Sequence, residues 1–241
     1  MIRSRLARSF MLSPNIEPRR NERPIDMLLL HYTGMASAAK ARDWLCNKAS
    51  GVSCHYLVDE TGDITQMVGE EMRAWHAGAS SWNGETDTNS RSIGIEIHNP
   101  GHNIGYHDFP PHQMQAVIAL CHDILSRHAI AKHMVLAHSD VAPGRKIDPG
   151  ERFDWELLHR EGIGHWVEPA AIGDGLDLDP ETVRQLQALL AGYGYGIDVT
   201  GTYDAATSKV VGAFQRHFRP ERIDGIADHS TIDTLQRLVA A

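Results

Sequence analysis

The chain has 241 residues, of which 42% are hydrophobic and 22% charged, values typical of a globular protein with one sizeable core and room for a second small domain. Its 23 Lys and Arg against 31 Asp and Glu give a formal net charge of −8. Because binding to nucleic-acid phosphates requires a cationic surface, this charge argues against nucleic acid as the partner. The three cysteines, Cys46, Cys54 and Cys121, fit neither a zinc-thiolate motif nor a disulfide framework, so free thiols are expected.

Residues 1–24 are predicted to form an extended arm. Arg3, Arg5 and Arg8 are typical of the start of a signal peptide, but only the apolar residues 10–12 follow where a long apolar stretch would be needed. We therefore expect neither an export signal nor a transmembrane segment.

The next part of the chain predicts a strand, a helix and a hairpin, in that order. The apolar run 25–30 indicates a buried strand that ends at His31. Apolar residues at helical spacing predict a helix over 36–48. Residues 54–59 and 63–68 flank a short glycine-containing turn, which is the pattern of a β-hairpin.

Strict alternation over 92–99 predicts a strand with isoleucines on one face. Gly94, Glu96 and His98 share the other face, which is free to border a cleft. The interpretation of His98 that we favour is a side chain at the edge of this groove rather than a required catalytic group.

Pro110 and Pro111 open an amphipathic helix, and a second apolar strand over 134–137 ends in a loop that starts at His138. Strands interleaved with helices indicate an α/β domain over 25–168, with a central mixed β-sheet flanked by helices.

A shift in composition over 169–178 predicts a linker, and residues 179–241 predict a small three-helix domain. Asp179 followed by proline is a helix start, and the segments 201–207 and 225–231 repeat the pattern Gly-x-x-Asp-x-x-Thr. Each of these aspartates is expected to cap a helix. A bundle of this size would have its own compact core, with little room for catalysis, and it suits a binding role.

The segment from His138 to Gly150 combines a histidine, a lysine and an aspartate in a Pro/Gly-rich loop. Asp148 precedes a proline and is therefore biased toward extended backbone, in which Lys146 shares its face. Imidazole and carboxylate are good zinc ligands, and an ammonium group suits a developing negative charge. By itself the segment is equally compatible with a polar turn that holds a satisfied histidine.

His31 and His138 both lie at predicted strand ends, and a carboxylate beside them would complete three ligands of a zinc ion. Three protein ligands leave the fourth tetrahedral position open, which is typical of a catalytic rather than a structural site.

Five sequence blocks carry a resemblance to a known family, the zinc-dependent N-acetylmuramoyl-L-alanine amidases related to phage T7 lysozyme and the peptidoglycan recognition proteins. In family order they are LLLHYTG (28–34), VSCHYLVDETGDITQMV (52–68), AWHAG (74–78), NSRSIGIEIHN (89–99) and HSDVAPGRKIDPG (138–150). The resemblance implies the T7 lysozyme-like amidase fold. The segment from about 175 to 241 resembles, more loosely, the three-helix peptidoglycan-binding domain that often accompanies these enzymes.

The resemblance also implies the roles of individual residues. One Zn²⁺ per chain would be held by His31, His138 and Asp148. Glu96 matches the catalytic carboxylate, and Lys146 matches the basic residue beside the metal.

Further residues are candidates for less direct roles. Tyr32, His55, His76 and Asn99 are candidate substrate contacts, and for the two histidines a structural or lining role is expected rather than metal ligation. Asp140 fits two interpretations equally: it orients the metal site from behind, or it caps the following turn.

The implied reaction is hydrolysis of the amide between N-acetylmuramic acid, or its anhydro form, and L-alanine of the peptidoglycan stem peptide, in cell-wall turnover or recycling. Two alternatives are a non-catalytic peptidoglycan receptor and a zinc peptidase that cuts within the stem peptide. The filled ligand positions favour an enzyme. A wall-binding domain favours the cell envelope, whereas the missing export signal favours the cytoplasm, so the compartment stays open. A monomer is expected.

Overall fold

The structure is a computed structural model that describes residues 2–173 and 178–241. A mixed β-sheet lies at its centre, with helices packed on both faces and a second, two-stranded sheet beside it. The strands are β1 (Ser9–Phe10), β2 (Ile16–Pro18), β3 (Met27–Tyr32), β4 (Tyr56–Val58), β5 (Ile64–Gln66), β6 (Met72–Ala74), β7 (Ser92–Ile97) and β8 (Val135–Ala137). The α-helices are α1 (Ala38–Leu45), α2 (Thr88–Arg91), α3 (Pro111–Leu125), α4 (His138–Val141), α5 (Trp155–Arg160), α6 (Pro180–Tyr193), α7 (Ala205–Phe218) and α8 (His229–Ala240).

The central sheet has six strands in the order β1-β5-β4-β7-β3-β8. Strand β3 pairs in parallel with both β7 and β8, whereas β4 and β5 form the predicted antiparallel hairpin. The predicted α/β class, with a mixed sheet flanked by helices, is confirmed. The parallel pairing of β3 with β7 and β8 brings the ends of these three strands to the same edge of the sheet.

Residues of the predicted N-terminal arm extend both sheets. Strand β1 pairs in parallel with β5, and β2 pairs antiparallel with β6. Arg19, just after β2, donates hydrogen bonds from its guanidinium to the carbonyl oxygens of Glu70, Ser90 and Ser92. The range predicted as an arm thus contributes two short strands and lies against the rest of the chain.

Two local predictions differ from the structure at their boundaries. Helix α1 starts only at Ala38, because the Ser37 side chain accepts a hydrogen bond from the backbone N–H of Lys40 and so caps it. The strand before His138 does not end in a loop: the single-turn helix α4 begins at His138 itself. The physical reason is Asp140, whose carboxylate accepts a hydrogen bond from the backbone N–H of Ala137 at 2.8 Å.

The two faces of the sheet bury different partners, because successive side chains of a strand alternate between faces. Leu28 and Leu30 of β3 pack in the cluster that includes helix α3. Met27 and Leu29 point the other way and share a second cluster with the C-terminal helices. The residues of those helices in the second cluster include Leu186, Leu190, Val210, Phe214, Phe218 and Leu235. The predicted core residues of the three C-terminal helices thus pack together, and the same cluster also covers one face of the sheet.

The predicted starts of the three C-terminal helices are confirmed. In each, an aspartate at the N-cap accepts a hydrogen bond from the backbone N–H three residues later. The pairs are Asp179 with Thr182 at 2.8 Å, Asp204 with Thr207 at 2.9 Å and Asp228 with Thr231 at 2.7 Å.

Part of the predicted linker over 169–178 lies outside the described residues, which omit 174–177. Before that gap, Ala170 bonds to helix α8: its N–H donates to the Thr234 hydroxyl at 3.0 Å and its carbonyl accepts from Ser230 at 2.6 Å. No helix in 2–173 or 178–241 combines the length and the apolar character needed to cross a membrane.

Candidate active site

Strand register brings three predicted site residues to one edge of the sheet. His31 of β3 is the pairing partner of Glu96 of β7, so both side chains leave the sheet side by side on the same face. On the other side of β3, Leu30 pairs with Ala137, and His138 follows directly. The juxtaposition of His31, Glu96 and His138 is therefore a consequence of parallel pairing.

Two imidazoles and a carboxylate form a compact donor set at this edge. The Nδ1 atoms of His31 and His138 lie 2.9 Å apart, and Asp148 Oδ2 lies 3.2 Å from the first and 2.9 Å from the second. All three side chains are buried. Ligand atoms of a tetrahedral zinc ion at ordinary bond lengths lie about 3.3 Å from one another, so this spacing fits the ion closely.

A chain of hydrogen bonds sets the tautomer of His31. The Ser92 hydroxyl donates to the Thr88 carbonyl oxygen at 2.7 Å, so Ser92 Oγ accepts from His76 Nε2 at 3.3 Å. His76 Nδ1 then carries no proton and accepts from His31 Nε2 at 3.0 Å. Since the proton of His31 is on Nε2, its Nδ1 presents a free lone pair to the donor set.

A backbone carbonyl group sets the tautomer of His138 in the same way. His138 Nε2 donates to the carbonyl oxygen of Ala77 at 3.0 Å, which leaves its Nδ1 as the unprotonated atom. Such an outer hydrogen bond is the usual partner of a metal-bound histidine.

Charge states in the donor set also suit a metal. Burial, followed by repulsion from His138, lowers the pKa of His31 to about 4. Burial opposes ionisation of Asp148, but attraction to His138 and His31 in their protonated forms outweighs it and holds the pKa of this carboxyl below its usual range. Neutral imidazoles and an ionised carboxylate are the forms in which these groups bind metal ions.

Glu96 stands beside the donor set with one oxygen unpartnered. Its Oε2 is buried and has no hydrogen-bond partner among the described residues. Burial, and then repulsion by Asp148, raises the pKa of Glu96 well above its usual value, while Lys146 acts in the opposite direction. A carboxyl group with one buried, unpartnered oxygen is positioned to take a proton from a molecule in front of it.

The site opens into a cleft of about 510 Å³. Glu96, His138 and Asp148 line its base, together with Lys146. The remainder of the wall includes the apolar side chains of Met35, Trp44, Leu45, Val52 and Trp75. The cleft therefore combines one polar, reactive end with an apolar wall, as is usual in small-molecule sites.

Two of the four candidate substrate contacts lie at this cleft. Tyr32 lines it and pairs through its hydroxyl with His102 Nδ1 at 3.1 Å. His76 also lines it, and bonds to His31 as described above. For these residues contact with a substrate stays a prediction.

The other two candidates lie behind the cleft. The Nδ1 of His55 accepts from Gly94 N–H at 3.0 Å, and its Nε2 donates to the Met72 carbonyl oxygen at 3.1 Å. Asn99 is buried and donates to the His107 carbonyl oxygen at 2.8 Å, where it holds a turn together. The structure thus does not bring His55 or Asn99 to the cleft wall.

His98 and Asp140 have structural partners. The Nδ1 of His98 lies 3.1 Å from the Thr33 hydroxyl, and this histidine is outside the set of residues that line the cleft. Asp140 accepts from Tyr195 at 2.8 Å and from His217 at 2.7 Å, in addition to its bond at the start of α4. The structure therefore shows the capping of a turn, one of the two interpretations of Asp140, and it also shows bonds from Asp140 to a residue just after α6 and to one in α7.

Sequence reasoning missed several residues at the site. Ser92, which anchors His76, stands on the same face of β7 as Gly94 and Glu96, so the alternation of that strand could have identified it. Trp75 directly precedes His76 in the block AWHAG, whereas Trp44 looked like an ordinary helix residue. Arg145 donates to the carbonyl oxygens of Ala77 and Ala79, a contact that no local pattern indicates.

With this geometry established, comparison with known proteins identifies the family. The family described as N-acetylmuramoyl-L-alanine amidase (Amidase_2) matches residues 21–151, more than half of the chain. The chain belongs to this amidase family. A second family, described as a putative peptidoglycan binding domain, matches residues 179–235.

Individual amidases are similar over most of the chain. The N-acetylmuramoyl-L-alanine amidase AmiD of Escherichia coli (strain K12) is 38% identical over 226 residues, which cover 86% of this chain and 79% of AmiD. The 1,6-anhydro-N-acetylmuramyl-L-alanine amidase AmpD of Haemophilus influenzae is 31% identical over 162 residues, covering 60% of this chain and 86% of that protein.

Solved structures of similar proteins have the same fold. Escherichia coli AmiD in complex with its substrate anhydro-N-acetylmuramic acid-L-Ala-D-gamma-Glu-L-Lys superimposes with a TM-score of 0.80 at 36% identity, covering 93% of this chain and 92% of AmiD. AmpDh3 from Pseudomonas aeruginosa gives a TM-score of 0.76 at 31% identity, covering 95% and 98%. The coverage extends beyond the sheet to the C-terminal helices.

Proposed function

We propose that this protein is a zinc amidase that hydrolyses the amide between the lactyl group of N-acetylmuramic acid and L-alanine of the stem peptide. The observation that carries the proposal is the unpartnered Oε2 of Glu96 next to the donor set of His31, His138 and Asp148, of which the last two line the same cleft as Glu96. A receptor without catalytic activity would have no use for this carboxyl group, which is costly to bury without a partner.

His31, His138 and Asp148 would hold one zinc ion, through the atoms whose tautomers and charges are described above. When bound, zinc acts as a Lewis acid on a carbonyl oxygen and makes water more acidic. Glu96 would take a proton from the attacking water through its free oxygen and pass it to the departing alanine nitrogen, because an amine leaves as a neutral group. Lys146, in the wall of the same cleft, would place its positive charge against the oxyanion of the tetrahedral intermediate.

The substrate class comes from the relatives. AmiD is described with a bound anhydro-muramyl peptide, and AmpD is described as a 1,6-anhydro-N-acetylmuramyl-L-alanine amidase. We infer that the present chain acts on the same amide, in muropeptides or in peptidoglycan, as a monomer. Residues 25–168 would form the catalytic domain and 179–241 would bind the wall polymer, consistent with the family match at 179–235.

Mass spectrometry of digested muropeptides tests the proposal. An amidase releases an intact stem peptide and a free sugar acid, a peptidase releases a shortened stem peptide, and a receptor leaves the muropeptide unchanged. A shortened stem peptide or an unchanged muropeptide would contradict the proposed function. Incubation with the Glu96→Gln variant, which keeps the size of the side chain, is the matched control for contaminating hydrolases.

A further inference from the structure

Helix α4 carries the metal ligand His138 and is too short to hold its own orientation. It has only four residues, a single turn, and isolated turns of helix are unstable because fixing the backbone costs more than one hydrogen bond returns. Its N-terminus depends on Asp140, whose Oδ2 accepts from the backbone N–H of Ala137 at 2.8 Å. The orientation of α4 therefore depends on where the Asp140 carboxylate is held.

The C-terminal segment supplies the two side-chain partners of that carboxylate. The Tyr195 hydroxyl donates to Asp140 Oδ1 at 2.8 Å, and His217 Nδ1 donates to Asp140 Oδ2 at 2.7 Å. Asp140 is 0% exposed, His217 2% and Tyr195 3%, so water does not compete for these bonds. Hydrogen bonds to a buried charged group are among the stronger ones in proteins.

Tyr195 is fixed independently of Asp140. It follows Gly194, where an added Cβ would lie 2.5 Å from the Trp82 ring, so only glycine permits this close approach of the two chain segments. The Gly194 carbonyl oxygen also accepts from Asn83 N–H at 2.8 Å. The residue just before the tyrosine is thus tied to the catalytic domain.

His217 is fixed by stacking. The centroid of its ring lies 3.8 Å from that of Trp155 and 3.8 Å from that of Phe218, and both pairs are stacked. Because Trp155 belongs to the catalytic domain and Phe218 to helix α7, the imidazole packs where the catalytic domain meets the C-terminal helices.

We propose that Tyr195 and His217 are positioning residues for the metal site: through Asp140 they hold the turn that begins at His138, and with it the Nδ1 donor of that ligand. The inference rests on the zinc site proposed above. A metal ligand must be held to within a fraction of an ångström, and loss of an outer partner typically lowers metal affinity or activity by about 10- to 100-fold. The C-terminal segment accordingly completes the catalytic site, in addition to any contact with the wall.

The test uses full-length variants and two readouts, the Kd for zinc by chelator competition and the separate values of kcat and KM on a muropeptide. Tyr195→Phe removes one donor, and His217→Phe removes the other while keeping a ring to stack. His217→Asn keeps an N–H where Nδ1 stands and serves as the rescue. Tyr203→Phe is the matched control, since its hydroxyl bonds to the Gly225 carbonyl oxygen at 2.8 Å, wholly within the C-terminal segment.

We expect Tyr195→Phe and His217→Phe each to raise the Kd for zinc by about 10-fold or more and to lower kcat, with KM unchanged because Asp140 does not line the cleft. His217→Asn should recover most of the affinity, and Tyr203→Phe should lower the melting temperature alone. Zinc affinity equal to that of the parent in Tyr195→Phe and His217→Phe would overturn the inference, whatever their melting temperatures.

Failure of the proposed function gives a different result. A parent chain that binds one zinc ion but releases no stem peptide contradicts the amidase proposal, and the comparison of zinc affinities still decides the role of Tyr195 and His217. A parent that binds no zinc would contradict both.

Discussion

His31 Nε2 donates a hydrogen bond to His76 Nδ1 across 3.0 Å, so a histidine in the cleft wall determines which nitrogen of the ligand faces the metal site. The direction of this bond follows from the series of hydrogen bonds that continues beyond His76. At the end of that series, the Ser92 hydroxyl donates to a backbone carbonyl oxygen, which can only accept. His76, which contributes no ligand atom, thus controls the tautomer of the proposed ligand His31.

The space for His76 depends on the glycine opposite it. A Cβ on Gly94 would lie 2.5 Å from Cγ of His76, much closer than packed atoms allow. Gly94→Ala should therefore displace the imidazole, break its bond to His31 and raise the Kd for zinc by about 10-fold or more, as measured by chelator competition. The control is Gly105→Ala, where an added Cβ meets nothing within 4 Å. Equal zinc affinity in both variants would show that His76 does not support the site.

Loss of a ligand should remove the metal itself. His31→Ala deletes one of three donors and is expected to be purified with little or no zinc by elemental analysis, because two protein ligands bind the ion too weakly to retain it. His98→Ala, just after the neighbouring strand β7 and outside the cleft, should keep one zinc ion per chain. A full zinc complement in His31→Ala would exclude this histidine from the site.

Loss of the carboxyl group should remove turnover and leave the metal. Glu96→Ala is expected to keep its zinc and to lower turnover by a factor on the order of 10² to 10⁴, the usual contribution of a general acid and base. Stem-peptide release and zinc content are measured on the same preparation. Unchanged turnover in the zinc-replete variant would be incompatible with the role proposed for Glu96.

Lys146 should affect the pH dependence of the reaction. Burial and Asp148 raise the pKa of Glu96, whereas Lys146 lowers it. A general base must be ionised, so kcat/KM falls as the pH drops through this pKa. Lys146→Met removes the lowering contribution, which raises the pKa, and the acidic limb of the kcat/KM profile should move to higher pH.

The control for that shift is Lys132→Met, an exposed lysine outside the cleft, which should leave the acidic limb where it is in the parent. An acidic limb at the same pH in the parent and in Lys146→Met would mean that Lys146 does not act on Glu96 through its charge.

The features that could be predicted from the sequence are those that depend on local residue patterns. Alternation placed Glu96 on the open face of its strand, and apolar runs placed His31 and His138 at strand ends, so their convergence followed from parallel pairing. Strands β1 and β2 were not predicted, because segments of two and three residues have no periodicity and exist only through pairing with β5 and β6.

Contacts between distant parts of the chain could also not be predicted from local residue patterns. The apolar residues of α6, α7 and α8 are consistent with a separate bundle, and only the tertiary structure shows that Met27 and Leu29 of the sheet complete their core. The bonds from Tyr195 and His217 to Asp140 have the same origin.

The most direct test of the account is zinc-dependent release of the stem peptide. The chain is stripped of metal, incubated with an anhydro-muramyl tripeptide before and after addition of one equivalent of zinc, and the products are identified by mass spectrometry. We expect no product without zinc, and an intact tripeptide with free anhydro-N-acetylmuramic acid after zinc is added. Equal release by the metal-free chain, or a zinc-dependent product cut within the peptide, would contradict the account.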